Sequence, residues 1–438
     1  MRCRAIERCP LGRRTCLELA EQPRQRESRS ALSITCGIDW AESHHDVALV
    51  DDGGKVVARQ RISTGVEGFS GLLSLIAEQG GTPESTPIGI ETEKSVMVVA
   101  LTGAGFTVYP INPRAVARYR ERHGQAGGKS DAGDAAVLAN ILRTDQHMHR
   151  PLATISEHAL AIKALARQHQ EAIWALNQTT SRLRSVLLEF YPNAVTTFAN
   201  LKHHAATAIL TAAPTPHAAA KLTGRRVVAI LHRCGRRNDS SLVEKILTGL
   251  KAPALRQPTR VETALGTTVQ QLIAIVEAMR TAVDTLETQL AEEFTAHPMA
   301  ATLRSAPGLG PVLAARILAE IGDDPHRFTS AAGLRAFAGT APVTRASGRS
   351  HYVKARKVRN KRLGDACHWW AFSMLTKSPG ARAHYDRRRA AGDHHNAALR
   401  NLANKLLGRL WWCMAHDQPW DDTAAWPPPT STPETAAA

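Results

Sequence analysis

The sequence is poor in acidic residues, in aromatic residues and in long apolar runs. Its 438 residues include 39 Asp and Glu against 55 Lys and Arg, so the formal net charge is +16 at pH 7. Such an excess of positive charge favours a polyanionic partner, and nucleic acid is the commonest one. A membrane surface is the alternative, but no apolar run is long enough to span a bilayer. We therefore expect a nucleic-acid-binding protein without a membrane segment.

Cysteine is also scarce, with seven residues that are scattered along the chain. A disulfide framework would use an even number of cysteines at regular spacings. We therefore predict free thiols in a reducing cytoplasm. The Arg-rich residues 1–32 contain no continuous apolar segment and do not resemble a secretory signal. We expect a disordered basic extension there, or a start codon assigned too far upstream.

A chain of 438 residues is too long for a single compact core. The predicted fold class is α/β plus mostly α. The predicted parts are a disordered basic extension at 1–32, a mixed α/β domain at 33–150, a helical region at 151–298, a further mostly helical domain at 299–418 and a disordered tail at 419–438.

Three strands open the ordered part, at 34–38, 46–50 and 55–62. Between the last two, Asp51 to Gly54 is a strong hairpin-turn signal. This meander and the alternation that follows it predict a mixed α/β sheet. The alternating segments are a helix at 69–77, a strand at 87–91, a helix at 96–101, a strand at 106–111 and an Arg-rich helix from Pro113.

Four acids are placed where strands end or a helix begins. Asp39 ends the first strand and Glu91 the fourth, while Asp131 and Asp134 stand three apart in a helical turn that Ser130 can cap. Acids in a first turn also complement the helix dipole, so a capped surface helix is the alternative. Converging carboxylates repel unless a cation or proton lies between them. An all-oxygen ligand set favours magnesium over zinc.

The same sheet order occurs in ATPases of the actin and sugar-kinase type, which also have an acid at the end of the first strand. In those proteins a glycine-rich phosphate turn follows that acid. Here Asp39 is followed by Trp40, Ala41, Glu42 and Ser43, which offer no backbone cradle for phosphates. Nucleotide hydrolysis is therefore disfavoured.

Two stretches, 156–190 and 265–290, carry apolar residues close to a heptad rhythm. They predict long helices that fold back on each other or pair with a second copy of the chain. Both arrangements are structural.

The glycine-rich segment 305–311, followed by a helix, is typical of a helix-hairpin-helix turn. Such turns present backbone amides, here around Gly308 and Gly310, to a nucleic-acid phosphate. A plain helix connection is the alternative, because glycine-rich connections are common.

A basic run at 351–362 contains no acid, and its cations fall on several sides of any helix. This distribution suits binding to a nucleic-acid backbone, whereas a solvated charged face is the alternative. Helices are predicted at 363–375 and 400–412. The candidate backbone-binding residues are Arg345, Arg349, Lys354, Arg356, Lys357, Arg359, Lys361 and Arg362.

The sequence resembles the IS110-family transposases over about residues 34–415. The resemblance rests on features that occur in the family's order: the acids, the glycine-rich turn, the segment Gly339 to Pro342, the pair Ser347–Gly348 and the basic run. The resemblance implies a ribonuclease H-like (RuvC-like) domain, a coiled-coil connection and a C-terminal transposase domain. It also implies that the nucleophile is Ser347 and that Mg²⁺ is bound by an acidic tetrad, namely Asp39, Glu91, Asp131 and Asp134. The implied partners are donor and target double-stranded DNA, a guide RNA and further copies of the chain, as a dimer or tetramer.

Two departures leave alternatives open. After Glu91 the family commonly has a small residue, Thr and Gly, whereas this chain has Thr92, Glu93 and Lys94, so Glu93 is a second candidate for the metal role. Ser350 is the nearest rival of Ser347, since a serine before glycine is ordinarily a turn residue.

The resulting hypothesis is a DNA recombinase of an insertion element, acting in the bacterial cytoplasm by RNA-directed strand exchange through a serine–DNA link. It requires Ser347 to be delivered onto the acids. One alternative is a metal-dependent Holliday-junction endonuclease that uses water, and another is a non-catalytic nucleic-acid-binding protein.

Overall fold

The computed structural model describes residues 33–123, 131–237, 239–324 and 326–427. The chain divides into two compact units, with the boundary between Leu152 and Ala153. The predicted basic extension at 1–32 lies outside the described residues, as does Ser130. Within the described ranges, none of the helices combines the length and apolar character needed to cross a membrane. The cysteines in these ranges, at positions 36, 234, 367 and 413, are free thiols, as predicted.

The first unit is a mixed α/β domain with strand order β3-β2-β1-β4-β5. Strands β1 to β3 pair antiparallel, and β4 and β5 continue the sheet parallel to β1. The predicted mixed α/β sheet is therefore confirmed. Its described elements are β1 (Ile34–Trp40), β2 (His44–Asp51), β3 (Val56–Ser63), α1 (Val66–Glu78), β4 (Ile88–Ile90), α2 (Val96–Gly103), β5 (Val108–Pro110), α3 (Pro113–His123), α4 (Asp131–Asp145) and a 3₁₀ turn at Gln146–Met148.

The two faces of this sheet are covered differently. Alternate residues of β1, such as Cys36 and Ile38, join the apolar core that also contains residues of α1 and α2. On the opposite face α4 lies directly on the backbone, because a Cβ atom at Gly37 would collide with the carbonyl of Ala135. The small residues on this face therefore bring α4 close to the sheet.

In its described residues, the second unit is helical apart from one hairpin. Its described elements are α5 (Glu157–Phe190), α6 (Pro192–Thr197), α7 (His204–Ala212), α8 (Pro216–Ala220), α9 (Gly224–Arg233), α10 (Ser240–Lys251), α11 (Thr259–Ala296), α12 (Ala300–Arg304), α13 (Pro311–Ile321), α14 (Ala331–Ala338), β6 (Val343–Ser347), β7 (Ser350–Lys354), α15 (Lys361–Met374), α16 (Pro379–Ala390), α17 (His395–His416) and α18 (Asp422–Ala425).

The two heptad stretches form the long helices α5 and α11, which pack antiparallel against each other within the chain. His158, near the start of α5, donates to the Glu293 carbonyl near the end of α11 at 2.8 Å. Further along, Thr179 donates to the Met279 sulfur at 3.5 Å. The fold-back arrangement is therefore present, and pairing with a second copy stays a prediction. Helices α6 to α10 contribute to a separate apolar core at the far end of this pair.

The C-terminal helices share a core around the fully buried Trp370. The predicted boundary at 298/299 falls between α11 and α12, inside the second unit, and stays a prediction. The predicted disordered tail is wrong for residues 419–427. Trp420 is buried edge-to-face against Trp370, with ring centroids 5.8 Å apart, and Asp422 accepts a hydrogen bond from Ser378 at 2.8 Å. Burial of this aromatic ring outweighs the Pro- and Thr-rich composition on which the prediction rested. Residues 428–438 lie outside the described part.

A buried histidine on α5 makes the stability of the second unit pH-dependent. Burial, together with the nearby Arg316 guanidinium, lowers the pKa of His169 to about 4. The unfolded chain binds this proton below about pH 6.5 and the folded chain only near pH 4. We expect the free energy of unfolding to fall by about 1–3 kcal/mol between these pH values.

Urea titrations at pH 7 and pH 4.5 test this expectation. His169→Gln should remove that part of the pH dependence, whereas His232→Gln, at an exposed site on α9, should leave it unchanged. Equal pH slopes for wild type and His169→Gln would contradict it.

Candidate functional site

Two of the candidate acids lie side by side at one end of the sheet. Ile38 of β1 pairs with Ile90 of β4 in parallel register, so Asp39 and Glu91 follow at the same level. Because side chains alternate along a strand, Asp39 shares the face of Gly37, which α4 covers. Both carboxylates are partly buried. The first unit therefore brings these two acids to the carboxyl end of two neighbouring parallel strands.

Helix α4 runs antiparallel to β1 and begins at the same end of the sheet. Its residues Ala135 and Ala139 lie over Gly37. Near its other end, Arg143 donates to the Asp52 carbonyl at 3.2 Å, in the turn between β2 and β3. That turn lies beside the start of β1, because Asp51 pairs with Ile34. The first turn of α4, with Asp134, therefore lies at the Asp39 end. The side chain of Asp131, the first residue of α4, lies outside what the structure describes.

Asp134 is buried, with 6% of its surface exposed, and forms an ion pair with the Arg120 guanidinium of α3. A carboxylate removed from water needs a compensating cation. Arg120 was recognised in the sequence only as part of a basic helix, because nothing in the local pattern identifies its partner.

Asp46 is a further acid on this face that the sequence analysis did not include. It lies directly opposite Asp39 in the antiparallel ladder and is 7% exposed. Arg61 of β3 donates to both of its oxygens, at 2.9 and 3.1 Å. The turn at Asp51 and Asp52 joins β2 to β3, so counting residues outward from it could have found the pairing of Asp46 with Arg61.

The donor set fits magnesium in its chemistry, because Asp39, Glu91 and Asp134 offer only carboxylate oxygens. Among the described residues, no three His, Cys, Asp or Glu side chains are close enough together to hold a metal ion. Arg120 already neutralises Asp134 in this conformation. Glu93, the rival of Glu91, is exposed in the loop after β4.

The candidate nucleophile Ser347 lies at the tip of an exposed hairpin in the second unit. It is the last residue of β6 and pairs with Ser350, the first residue of β7. Gly348 between them has a φ of 54°, which a tight hairpin turn requires and which other residues rarely adopt. Ser347 and its rival Ser350 are both exposed, as are Arg345 and Arg349. A hydroxyl in this position is accessible to a nucleic-acid strand.

The basic run is not one helix. It forms strand β7, an irregular segment at 355–360 and the first turn of α15. Lys354 lies over the Tyr352 ring, 4.8 Å from its centroid. Four cations of the run, Arg356, Lys357, Arg359 and Lys361, line one cavity.

Arg362 differs from the other candidates in the run. It forms an ion pair with Glu171 of α5 and donates to the Gln170 side chain at 3.2 Å. Its predicted role on a nucleic-acid backbone therefore competes with a contact inside the protein.

The two glycines of the glycine-rich turn differ in their exposure to solvent. Gly308, with a φ of 78°, faces α15, because a Cβ there would lie 3.0 Å from the Ser373 hydroxyl oxygen. The Pro307 carbonyl accepts a hydrogen bond from the Trp370 indole at 2.9 Å. Gly310 is exposed at the start of α13, and no side chain in the described residues caps this helix end. Of the two predicted phosphate contacts, Gly310 is the accessible one.

Two family models match this chain. The IS110-type DEDD transposase model matches residues 36–192, and the model described as transposase IS116/IS110/IS902 family matches residues 300–386. The first range contains the four candidate acids and the second contains Ser347 and the basic run.

Three relatives are similar over most of their length. The "Mini-circle putative transposase for IS117" of Streptomyces coelicolor is 47% identical over 91% of this chain and 98% of its own. A protein of insertion element IS110 from the same organism is 30% identical over 87% of this chain and 93% of its own. A protein of insertion element IS900 of Mycobacterium paratuberculosis is 28% identical over 92% of this chain and 99% of its own. The similarity thus covers both units.

Proposed function

The chain belongs to the IS110 family of transposases, and from this premise we propose that it moves an insertion element by exchanging DNA strands through a covalent serine–DNA intermediate. The observation that carries the proposal is the gathering of Asp39, Glu91 and the first turn of α4 at one end of the sheet. The matching family model is named for a DEDD set of acidic residues. We therefore assign phosphoryl transfer to the end of the sheet where these acids lie.

A ribonuclease H-like, or RuvC-like, fold is the architecture that we propose for the first unit. It is supported by three antiparallel strands followed by two parallel strands, and by a helix that lies on one face of the sheet and begins at the acidic end. This assignment is a proposal about fold kinship, whereas the role of each acid rests on its chemistry.

In the proposed reaction the Ser347 hydroxyl oxygen attacks a DNA phosphorus atom. A serine–phosphorus ester bond forms, the phosphorus–oxygen bond to the departing strand breaks, and that strand leaves with the proton as a free hydroxyl. Attack by the hydroxyl of the second strand reverses these steps and regenerates Ser347. The ester retains the energy of the broken link, so rejoining needs no ATP. A serine hydroxyl is a weak nucleophile near neutral pH and must be activated.

Asp39, Glu91, Asp131 and Asp134 are the residues that we propose to hold magnesium. The ion, when bound, supplies positive charge that stabilises the attacking and leaving oxygens. In the protein itself, Arg120 neutralises Asp134 and Arg61 neutralises Asp46. These pairs supply the compensating charge that a carboxylate removed from water needs.

The proposed partners are donor and target DNA, a guide RNA and further copies of the chain. The net charge of +16 supports binding to polyanions of both kinds. Exposed Arg345 and Arg349 flank the candidate nucleophile and suit contacts to phosphate. We propose that the protein acts in the bacterial cytoplasm, on DNA of the nucleoid.

A reconstituted strand-exchange assay tests the proposed function. The full-length protein is mixed with donor DNA, target DNA and RNA transcribed from the non-coding DNA that flanks its gene. We expect joined products only when RNA and Mg²⁺ are both present, and none after chelation with EDTA, because carboxylates alone offer no positive charge to the phosphate. Products are measured by sequencing across the junctions.

Cleaved but unjoined DNA, without protein attached, would contradict the proposal and favour a water-using nuclease. Joining that is independent of RNA would overturn only the guide-RNA part. Specific binding without either reaction would favour a non-catalytic nucleic-acid-binding protein.

A further inference from the structure

The second unit contains a cavity of about 640 Å³ at the base of the serine hairpin. Its wall includes Ala355, Arg356 and Lys357, which follow directly after β7. Helices α5, α14, α15 and α17 and the two residues after α14 supply other parts of the wall, including residues far from the basic run in sequence. The side chains that matter here are Trp174, Arg356, Lys357, Arg359, Lys361, Asp365, His368, Asn396 and Arg400.

Five cations line this cavity against a single carboxylate, that of Asp365. Arg356, Lys357, Arg359, Lys361 and Arg400 all line it, and none of them forms an ion pair with a described carboxylate. The Nε atom of Arg356 is buried and has no hydrogen-bond partner among the described residues. A buried donor without an acceptor is costly, and clustered unpaired cations attract an anion into a concave site. A phosphate group would supply both the acceptors and the negative charge that this cavity lacks.

The same cavity has an aromatic and polar wall that a phosphate alone would not use. Trp174 is 39% exposed, and the Arg362 guanidinium lies over its ring, 5.1 Å from the centroid. Asp365 accepts a hydrogen bond from Gln170 at 2.8 Å, which fixes its carboxylate. Burial lowers the pKa of His368, which favours the neutral ring that can both donate and accept a hydrogen bond. Asn396 adds an amide with the same two capacities.

We propose that this cavity binds one unpaired nucleotide of a nucleic-acid strand, with its phosphate on the cations and its base against Trp174. Asp365, His368 and Asn396 offer hydrogen-bonding groups to the edge of the base. A stacked, paired base exposes neither its flat face nor its pairing edge, so a nucleotide must leave the duplex to reach these groups. The volume lies within the range of small-ligand sites.

This site deepens the proposed function and rests on it. The chain runs from the Ser347 hairpin through β7 into the cavity wall within ten residues, from 347 to 357. A nucleotide held there would anchor a strand beside the hydroxyl that attacks it. The cavity thus assigns a positioning role to Trp174 and Arg400, which lie outside the basic run.

A binding assay with the full-length protein tests the inference independently of strand exchange. The probes are short duplexes that are fully paired or carry one unpaired nucleotide, each made as DNA and as RNA. Base stacking on an aromatic residue predicts that the unpaired nucleotide strengthens binding by about tenfold. A 5-iodouracil at the unpaired position should cross-link to Trp174, which peptide mass spectrometry would identify.

Two variants and a matched control separate the cavity from general affinity. Trp174→Ala should abolish the tenfold preference while binding of paired duplex stays within about twofold. Arg400→Gln should weaken binding of every probe and lower its salt dependence, because it removes a phosphate contact. Trp369→Ala, at an exposed tryptophan that does not line the cavity, should keep the preference.

The two sources of the nucleotide are distinguished by the preference for the unpaired probe. If this preference is larger for DNA, the nucleotide comes from a substrate strand; if it is larger for RNA, it comes from the guide RNA. Equal affinity of wild type for paired and unpaired probes, or a preference that survives Trp174→Ala, would overturn the inference and leave the recombinase proposal intact. Absence of binding to every probe would overturn both.

Discussion

Ser347→Ala should eliminate covalent attachment of the protein to DNA and lower strand joining by at least about 10³-fold, because it removes the attacking group of the proposed covalent mechanism. Ser347 is exposed at the tip of a hairpin and makes no contribution to a core. The loss should therefore occur without a change in the free energy of unfolding. Protein–DNA adducts are measured by denaturing gel electrophoresis with labelled DNA.

Ser350 provides a matched control for this variant. It faces Ser347 across the hairpin as its register partner and is equally exposed. Ser350→Ala should form adducts and joined products at the wild-type level. If Ser350→Ala loses the adduct and Ser347→Ala keeps it, the nucleophile is Ser350; if both keep it, no serine of this hairpin is the nucleophile.

Asp39→Asn and Asp134→Asn should each lower strand joining by about 10²- to 10⁴-fold, because each removes a negative charge from the proposed magnesium ligands. Asp39→Asn tests the metal-binding role with less effect on folding, because Asp39 is only partly buried. Asp134 is buried beside Arg120, so loss of its charge also destabilises the first unit. Binding of Mn²⁺, followed by electron paramagnetic resonance, gives a readout separate from activity.

Asp145→Asn is the control for both acidic variants. Asp145 ends α4 at the opposite end of the helix from Asp134, so its charge does not contribute to the acidic end. We expect normal metal binding and normal joining. Unchanged Mn²⁺ binding in both Asp39→Asn and Asp134→Asn would contradict the assignment of the metal site.

Much of the first unit could be predicted because its signals are local. Alternating apolar residues and the turn from Asp51 to Gly54 specify the β2–β3 hairpin of the meander, whereas the short connection at 41–43 sets which residue of β2 faces Asp39. The boundaries of β1 to β3 differ from the prediction by only a few residues at each end. Prediction of the tail from 419 failed because Trp420 is stabilised by a distant ring, which composition does not reveal.

The sequence by itself determined the periodic elements: the mixed sheet, the two long helices and the acids at the ends of β1 and β4. These depend on backbone preferences and on spacing within a few residues. Only the tertiary structure decided which charges are already paired. Arg120 reaches Asp134 across 14 residues, and Arg362 reaches Glu171 across 191.

The same holds for the cavity that Trp174 and Arg400 share with the basic run. Its members come from separate helices, and their meeting depends on which helix faces pack together. Packing is a property of the whole folded chain, because each face becomes buried only when its partner is in place. For that reason the chemistry of single residues was readable in the sequence, whereas the neighbours that neutralise, bury or expose them were not.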